Sequence, residues 1–268
     1  LDDDVVWLLK RQLPGERAAG NRFIQMVRDR LGKLGWQLYE GCPALFAVPA
    51  TRLFLDTHMD DWHGCGRQSE VEPMLAKLRE AFHLTGTDGF VHGAYEHLKR
   101  PRVKGPEGTH VCCDPRHIQS ILRALKLTGC NGAKTPYLGV DPPDLDPPLA
   151  AQAKVVFRSV AMVMQYITID RADCQNAIQD LTKAMCEPTE FSMRKMVRVA
   201  RYLVASESFG HFMKAIDPAK FPRGAVLLDT HTDSDWAADK ATRRSVACVN
   251  HEVDGCPLAA SVTQQSFH

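Results

Sequence analysis

The feature that most restricts how this chain can fold is a cluster of prolines between residues 134 and 149. Pro136, Pro142, Pro143, Pro147 and Pro148 all lie in this segment. Proline fixes its own φ angle and has no amide hydrogen to donate, so this density disfavours both helix and sheet. We therefore predict a stiff connector over residues 134–149 and the main domain boundary at the same place.

Before the connector, helical and strand patterns alternate. Apolar residues recur at steps of three and four from Phe23 to Leu34, which predicts an amphipathic helix. Short apolar segments bounded by Gly and Pro predict antiparallel strands at residues 37–39, 44–48 and 52–59. Ser69 and Glu72 resemble a capping box that opens a second helix. A hairpin is predicted from strands at 95–103 and 109–113, and Asp114-Pro115 then predicts a helix start.

After the connector, the spacing of apolar residues indicates helices first and strands later. Helical patterns cover residues 151–169, 173–185 and 189–206, and their short connections predict antiparallel packing. From Phe209 the apolar period becomes two, which predicts strands at 209–215, 225–233 and 244–253. Asp254-Gly255 is the strongest hairpin signal in the sequence. The pattern as a whole predicts an α+β fold.

Composition restricts function less than it restricts fold. A chain of 268 residues is long enough for two packed units, and 33 basic against 32 acidic side chains give a net charge of +1. Nucleic-acid binding depends on local basic patches, so the balance neither indicates nor excludes it. The nine cysteines form no C-x-x-C pair and predict free thiols in a reducing compartment. With neither an apolar membrane span nor a leader in the sequence, we expect an intracellular protein, nuclear or cytoplasmic, and not a secreted one.

Two adjacent carboxylates, Asp60 and Asp61, end the apolar run that begins at Phe54. Magnesium-dependent phosphoryl transfer needs several carboxylate oxygens around hard cations. Side chains of neighbouring strand residues point to opposite faces, so both aspartates can converge only at a turn, and a third carboxylate must come from elsewhere. Taken alone, the pair is more typical of a simple polar turn than of a metal site.

The order of several short motifs along the chain resembles copia-type retrotransposon reverse transcriptases. These motifs are Pro14-Gly15-Glu16-Arg17-Ala18-Ala19, the strand ending in Asp60-Asp61, Phe157-Arg158-Ser159, Gln165-Tyr166-Ile167, Arg171-Ala172-Asp173, Pro188, Arg198-Val199-Ala200-Arg201-Tyr202-Leu203, Thr232-Asp233-Ser234-Asp235-Trp236-Ala237 and Thr242-Arg243-Arg244-Ser245. They cover nearly the whole chain, from about Val5 to Gln264, in the order of that family. Some positions depart from its pattern, since His58-Met59 replaces tyrosine-valine and Arg171-Ala172-Asp173 lacks the proline.

The resemblance implies an RNA-directed DNA polymerase that binds an RNA or DNA template–primer. Its palm would hold Mg²⁺ or Mn²⁺ through Asp60 and Asp61, with Gly15 and Arg17 near the incoming nucleotide. It implies a partial reverse-transcriptase palm with thumb-like helices over residues 1–133, a helical connection over 150–208 and a truncated ribonuclease H-like sheet over 209–268. Four basic side chains on or near one helical surface could contact phosphates, although a solvated helix face is as typical of such residues: Arg194, Lys195, Arg198 and Arg201.

A second acidic pair belongs to the implied ribonuclease H segment. Asp233 and Asp235 lie two apart on a predicted strand, so both share a face with Asp229 and His231. This suits the first metal-binding carboxylates of a ribonuclease H site, with Asp233 as the catalytic residue. Only 33 residues follow Asp235, whereas the rest of that site would need a later helix and strand. We therefore expect no ribonuclease H activity from this chain alone.

The polymerase site is incomplete in the same way, because the family's other essential aspartate lies upstream on a strand that this sequence does not contain. Asp2, Asp3 and Asp4 do not replace it. We therefore expect an inactive chain in isolation, since losing a metal ligand commonly lowers the rate by orders of magnitude. The alternatives are a non-catalytic, retroelement-derived scaffold or subunit that needs no cofactor, and a sequence without selected function. For the scaffold, a protein partner is expected to cover exposed sheet edges.

Overall fold

The structure is a computed structural model that describes residues 15–86, 93–140, 143–215, 227–236 and 244–264. The chain forms two compact units, Leu1–His92 and Gly93–His268. Both units combine helices with antiparallel sheets, which confirms the predicted α+β class. The assignments to palm, thumb, connection and ribonuclease H stay predictions, as do the predicted domain limits.

The first unit packs helices against a four-stranded antiparallel sheet of order β1-β2-β3-β4. Its elements are α1 (Ala19–Lys33), β1 (Gln37–Leu38), β2 (Leu45–Val48), β3 (Leu53–His58), β4 (Asp61–Cys65) and α2 (Gln68–Ala81). The core joins Val27 and Leu31 of α1, Phe46, Leu53 and Leu55 of the sheet, and Leu78 of α2. The helices therefore pack on the sheet face that carries Phe46, Leu53 and Leu55.

The second unit begins with an antiparallel meander and continues into a helical core. Its first elements are β5 (Ala94–His97), β6 (Arg100–Gly105), β7 (Gly108–Cys112) and α3 (Pro115–Ala124). The helices α4 (Ala151–Ile167), α5 (Gln175–Lys183) and α6 (Glu190–Ala205) follow, with a short 3₁₀ helix at Ala172–Cys174 before α5. Residues of these helices that are almost fully buried, such as Phe157, Met164, Ile178 and Leu203, form the larger core of the chain with α3.

Two sheets flank this helical core. β8 (Gly210–Lys214) pairs with β7, which extends the meander to β5-β6-β7-β8. β9 (Leu228–Ser234), β10 (Val246–Val253) and β11 (Cys256–Gln264) form a separate antiparallel sheet of order β11-β10-β9. At the turn between β10 and β11, Asp254 and Gly255 both have positive φ angles, 51° and 74°. This confirms the predicted hairpin, because a two-residue type I′ turn requires that backbone.

The proline-rich segment is held against α6. Asn131 and Thr135 accept hydrogen bonds through their carbonyl oxygens from Arg201 and Arg198, and Asp146 accepts one from the amide of Phe191 at the start of α6. Leu149 also donates its amide to the carbonyl of Pro188. These bonds tie both ends of the predicted connector to one helix, whereas the chain divides into its two units at residues 92 and 93.

Two local predictions are wrong. Ser69 does not cap α2, because the N-cap residue is Arg67 and makes no side-chain cap bond. The predicted strand 95–103 is two strands, since Leu98 and Lys99 form a tight turn with φ angles of 51° and 63°. Neither residue type favours positive φ, so the sequence carries no signal for this turn.

Candidate functional site

The first predicted acidic pair lies at the tip of the β3–β4 hairpin. Met59 and Asp60 form its two-residue turn, and Asp61 opens β4 opposite His58. Met59 has a φ angle of 53°, which reverses the chain tightly. Asp60 and Asp61 are both exposed. Because the turn interrupts the alternation of side chains between the two faces of the strand, the two adjacent carboxylates lie together at one exposed point.

A third carboxylate lies on the same sheet, and the sequence reasoning missed it. Asp56 pairs in register with His63 of β4, on the sheet face that also carries Asp61 and lies opposite the helices. The alternation of Phe54, Asp56 and His58 along the strand was the signal that could have found it. Within the described parts of the chain, however, no group of three or more His, Cys, Asp or Glu side chains is arranged to hold a metal ion.

The two residues of the second predicted acidic pair, Asp233 and Asp235, have different roles in the structure. Asp233 is exposed on β9 and accepts a hydrogen bond from the amide of Ser234. Asp235 lies one residue beyond the strand, where its carboxylate accepts the amide of Val246 at 3.0 Å and its own amide donates to the carbonyl of Val246. Asp235 therefore joins β9 to β10.

Asp233 also borders an open cleft of about 590 Å³ between the β9–β11 sheet and the segment that leads into α5. His231, Cys248 and Asn250 of the sheet line this cleft, and Asp173 lines it from the helical side. The cleft is lined by both polar and apolar side chains, and in the described residues no group of three or more possible metal ligands is found there.

The four basic residues predicted to contact phosphates lie on α6. Arg198 donates to both the carbonyl and the hydroxyl oxygen of Thr135, at 2.8 and 2.9 Å, and Arg201 donates to the carbonyl of Asn131 at 2.8 Å. Arg194 and Lys195 both lie against the ring of Phe191. Phosphate contacts by these residues stay a prediction, but Arg198 and Arg201 also hold residues 131–135 onto the helix.

Arg17, predicted near an incoming nucleotide, is exposed in the turn that precedes α1. Gly15, two residues earlier, has a φ angle of 94°. A glycine adopts this backbone without the steric penalty of a side chain. Both residues belong to the unit that carries Asp60 and Asp61, and their proposed role stays a prediction.

The Arg171-Ala172-Asp173 motif forms an ion pair between a buried arginine and a partly exposed aspartate, which the sequence reasoning did not anticipate. Arg171 is fully buried, and its guanidinium donates to both carboxylate oxygens of Asp173, at 2.9 and 2.7 Å, and to the hydroxyl of Ser206 at 2.6 Å. Tyr202 donates its hydroxyl to the same carboxylate at 2.7 Å. Burial acts to raise the pKa of Asp173, but the hydrogen bonds from Arg171 and Tyr202 outweigh it and hold the pKa below its usual value.

The chain is similar to the polyproteins of plant retrotransposons. It is 25% identical over 240 residues to the retrovirus-related Pol polyprotein from transposon RE2 of Arabidopsis thaliana, a match that covers 88% of this chain and 16% of that protein. It is 26% identical over 136 residues to the corresponding protein from transposon RE1 of the same plant, covering 50% of this chain and 9% of the relative. These relatives confirm the predicted kinship with retrotransposon Pol.

A further relative is an uncharacterized mitochondrial protein of Arabidopsis thaliana, 30% identical over 89 residues, or 33% of this chain and 34% of that protein. No family model and no solved structure matches the chain. The chain thus spans less than a fifth of the two Pol polyproteins that it resembles. Of the helices in the described residues, none has the length and apolar character needed to cross a membrane.

Proposed function

We propose that the first unit belongs to a retroelement-derived, RNA-directed DNA polymerase, and that its β3–β4 hairpin binds the metal ion. One observation carries this proposal: Asp60 and Asp61 lie exposed at the tip of a two-residue hairpin turn, and no described bond uses either carboxylate within the fold. Neither carboxylate therefore contributes to the stability of the fold through an ion pair or a hydrogen bond, and both are accessible to a cation from solvent. The kinship with Pol polyproteins supports the same assignment.

The residues at the tip suit a hard cation, although they are too few to hold one firmly. Carboxylate oxygens are the ligands that Mg²⁺ and Mn²⁺ prefer, and Asp60 and Asp61 provide four of them. When bound, such ions stabilise the charge that develops on a transferring phosphoryl group. Asp60 and Asp61 would hold the cation at the edge of the sheet, and Asp56 would add negative potential from the same face. A further ligand must complete the site before phosphoryl transfer is efficient.

Paramagnetic broadening by Mn²⁺ tests the metal-binding part of this proposal on the chain itself. In an NMR titration, amide signals of residues 58–62 should broaden first, and the Asp60→Asn/Asp61→Asn variant should lose that broadening. Glu80→Gln, which removes an exposed carboxylate of α2 in the same unit, is the matched control and should leave it unchanged. Broadening that starts elsewhere, or that persists in the double variant, contradicts the proposal.

Primer extension tests the catalytic part. With an RNA template and Mg²⁺ or Mn²⁺, we expect little or no incorporation by this chain alone. Joined to the upstream segment of a related Pol polyprotein, it should incorporate nucleotides, and Asp60→Asn should abolish that incorporation. Persistent incorporation after Asp60→Asn, or none with the upstream segment present, would refute catalysis through this hairpin.

A second candidate function is a non-catalytic scaffold derived from such an element. The observation that favours it is the use of Asp235, Arg198 and Arg201 to hold backbone groups of the chain's own fold. Side chains that already bind carbonyl or amide groups must break those bonds to contact a phosphate or a metal ion. For the scaffold we expect salt-insensitive binding to a protein partner and no measurable affinity for a template–primer duplex. Duplex binding that weakens steeply with added salt would contradict it.

A further inference from the structure

The residue that lies directly opposite Asp61 across the β3–β4 hairpin is a histidine. His58 and Asp61 are partners in register, and they flank the two-residue turn formed by Met59 and Asp60. Side chains of directly opposed residues in an antiparallel pair lie on the same face of the sheet. The tip of the hairpin therefore presents an imidazole beside the carboxylates to which the proposed function assigns the metal ion.

The packing of the first unit determines which face carries His58. Leu53 and Leu55 of β3 are 2% and 4% exposed, because their side chains point to the helices. His58 is an odd number of residues from both, so alternation along the strand places it on the opposite face, away from the core. His58, Asp60 and Asp61 are all exposed, and no described hydrogen bond or ion pair uses the imidazole of His58. The ring is thus accessible to an ion from solvent.

The spacing across the hairpin allows one ion to contact both side chains. The Cβ atoms of directly opposed residues lie roughly 4.5–5.5 Å apart, and a divalent transition-metal ion binds nitrogen and carboxylate oxygen at about 2 Å. The described residues contain no ready-made group of three or more metal ligands, so the ion must draw the exposed side chains together. Exposed side chains change rotamer on the picosecond to nanosecond timescale, while the strand pairing keeps their backbones in register.

The imidazole changes which ion the hairpin prefers. Mg²⁺ is a hard cation that binds oxygen and gives up its water reluctantly, whereas imidazole nitrogen is a good ligand for Zn²⁺ and its neighbours in the first transition row. The carboxylates of Asp60 and Asp61 suit both kinds of ion, so the nitrogen is what distinguishes them. The motif that this hairpin resembles has tyrosine in place of His58, so the resemblance assigns no metal ligand at this position.

Two other potential ligands on the same face lie farther from the tip. His63 and Cys65 follow Asp61 at alternate positions of β4. At about 3.3 Å per residue, His63 lies about 7 Å and Cys65 about 13 Å along the strand from Asp61. Cys65 is therefore too distant to share an ion with Asp61, and His58 is nearer to Asp61 than His63 is.

We propose that His58 supplies a nitrogen ligand beside Asp60 and Asp61, and that the hairpin therefore binds Zn²⁺ in preference to Mg²⁺. The inference rests on the proposed function, since it adds a ligand to the same site. It goes further by assigning the site a class of ion, a divalent transition metal that accepts both nitrogen and oxygen. Zn²⁺ bound in this way would compete with Mg²⁺ for the same carboxylates, so it would inhibit a Mg²⁺-dependent reaction at the hairpin.

Displacement of Mn²⁺ measures this preference at the hairpin itself. Bound Mn²⁺ should broaden the amide signals of residues 58–62, and a diamagnetic ion that displaces it should restore them. The free Zn²⁺ concentration that restores half of the signal, fixed with a metal buffer, should be about a hundredfold lower than that of Mg²⁺. His58→Gln should raise the Zn²⁺ concentration at least about tenfold and leave the Mg²⁺ concentration unchanged. His83→Gln, which removes an exposed histidine of the same unit, is the matched control and should change neither.

The outcomes separate this inference from the function on which it rests. If the hairpin binds Mn²⁺ but His58→Gln leaves the Zn²⁺ concentration unchanged, the metal-binding hairpin stands and His58 is not a ligand. If His63→Gln or Cys65→Ser removes the preference for Zn²⁺ and His58→Gln does not, the ligand lies elsewhere on the face and the proposal is wrong. Equal concentrations of Zn²⁺ and Mg²⁺ in the wild type also overturn it. If Mn²⁺ does not broaden these signals in the wild type, the metal-binding function and this inference fail together.

Discussion

Replacing Asp173 by Asn should destabilise the second unit more than any other single change in its ion pairs. The guanidinium of Arg171 is fully buried and its main counter-charge is Asp173, so the variant leaves a buried cation without an anion. Breaking a buried pair in this way typically costs about 3–5 kcal/mol. The side chain of Asp173 is itself 30% exposed. Arg171→Met should therefore cost less, because the remaining carboxylate keeps the hydroxyl of Tyr202 and can regain water.

The double variant Arg171→Met/Asp173→Asn supplies the control. It removes both charges, and the methionine refills part of the space, so its free energy of unfolding should return to within about 2 kcal/mol of the wild type. Urea unfolding followed by far-ultraviolet circular dichroism measures all four proteins, because the helices around Arg171 dominate that signal. If Asp173→Asn costs less than about 1 kcal/mol, or if the two single effects simply add, the ion pair does not stabilise the unit as argued.

The same pair predicts a pH dependence with a definite sign. The pKa of Asp173 is lowered in the folded state, so the unfolded chain takes up the proton first as the pH falls. The stabilisation is fully present above the unfolded value of about 3.9 and is lost as the pH drops through the lower folded value. The wild type should therefore lose stability below about pH 4 more steeply than Asp173→Asn. Parallel curves for the two proteins in acid would contradict this.

Three further predictions concern local structure. Gln175→Ala/Gln179→Ala removes the amides that donate to two carbonyls of β11; it should cost about 1 kcal/mol for each bond and increase self-association through the uncovered strand edge, which urea unfolding and light scattering would detect. Asp114→Ala removes the N-cap of α3 and should cost about 1 kcal/mol, whereas Asp114→Asn, which keeps a cap, should cost less. Gly108→Ala places a Cβ 2.2 Å from the carbonyl oxygen of Met213 at a φ angle of 149°. It should lower the melting temperature and reduce the protection of the β7 and β8 amides from hydrogen exchange. An unchanged melting temperature would show that the two strands can shift apart to accept the added methyl group.

Local signals in the sequence predicted the elements of the fold well where residue type determines the backbone. Asp114-Pro115 opens α3 with a side-chain cap, and Asp254-Gly255 supplies the two positive φ angles of the last hairpin. The helices α4, α5 and α6 followed from apolar spacing alone. The turn at Leu98-Lys99 did not follow, because tertiary packing imposes a backbone that neither side chain prefers.

The sequence did not predict which strands pair when they lie far apart in the chain. β8 and β7 join in one sheet although α3, α4, α5 and α6 lie between them in the chain. Gly210 and Gly108 allow that contact, since a Cβ at either position would lie within about 2 Å of a backbone oxygen of the opposite strand. A glycine in a strand indicates such a close approach, but it does not identify the strand that makes it. The same limit applies to the proline-rich segment. Its contacts with α6 use the side chains of Arg198 and Arg201 and the carbonyl oxygen of Pro147, which accepts the amide of Glu190, and proline content alone does not predict these partners.

The acidic residues of the chain divide by what the fold does with them, and this division sharpens the proposed function. Asp114 and Asp146 bind amides at the starts of helices, and Asp235 binds an amide between two strands. Their charges are used within the structure, so their presence needs no functional explanation. Asp60 and Asp61 differ, because a two-residue turn presents two adjacent negative charges to solvent, where each raises the electrostatic cost of the other. Stability alone would favour a neutral residue at one of these positions, whereas the proposed binding of a cation would account for both.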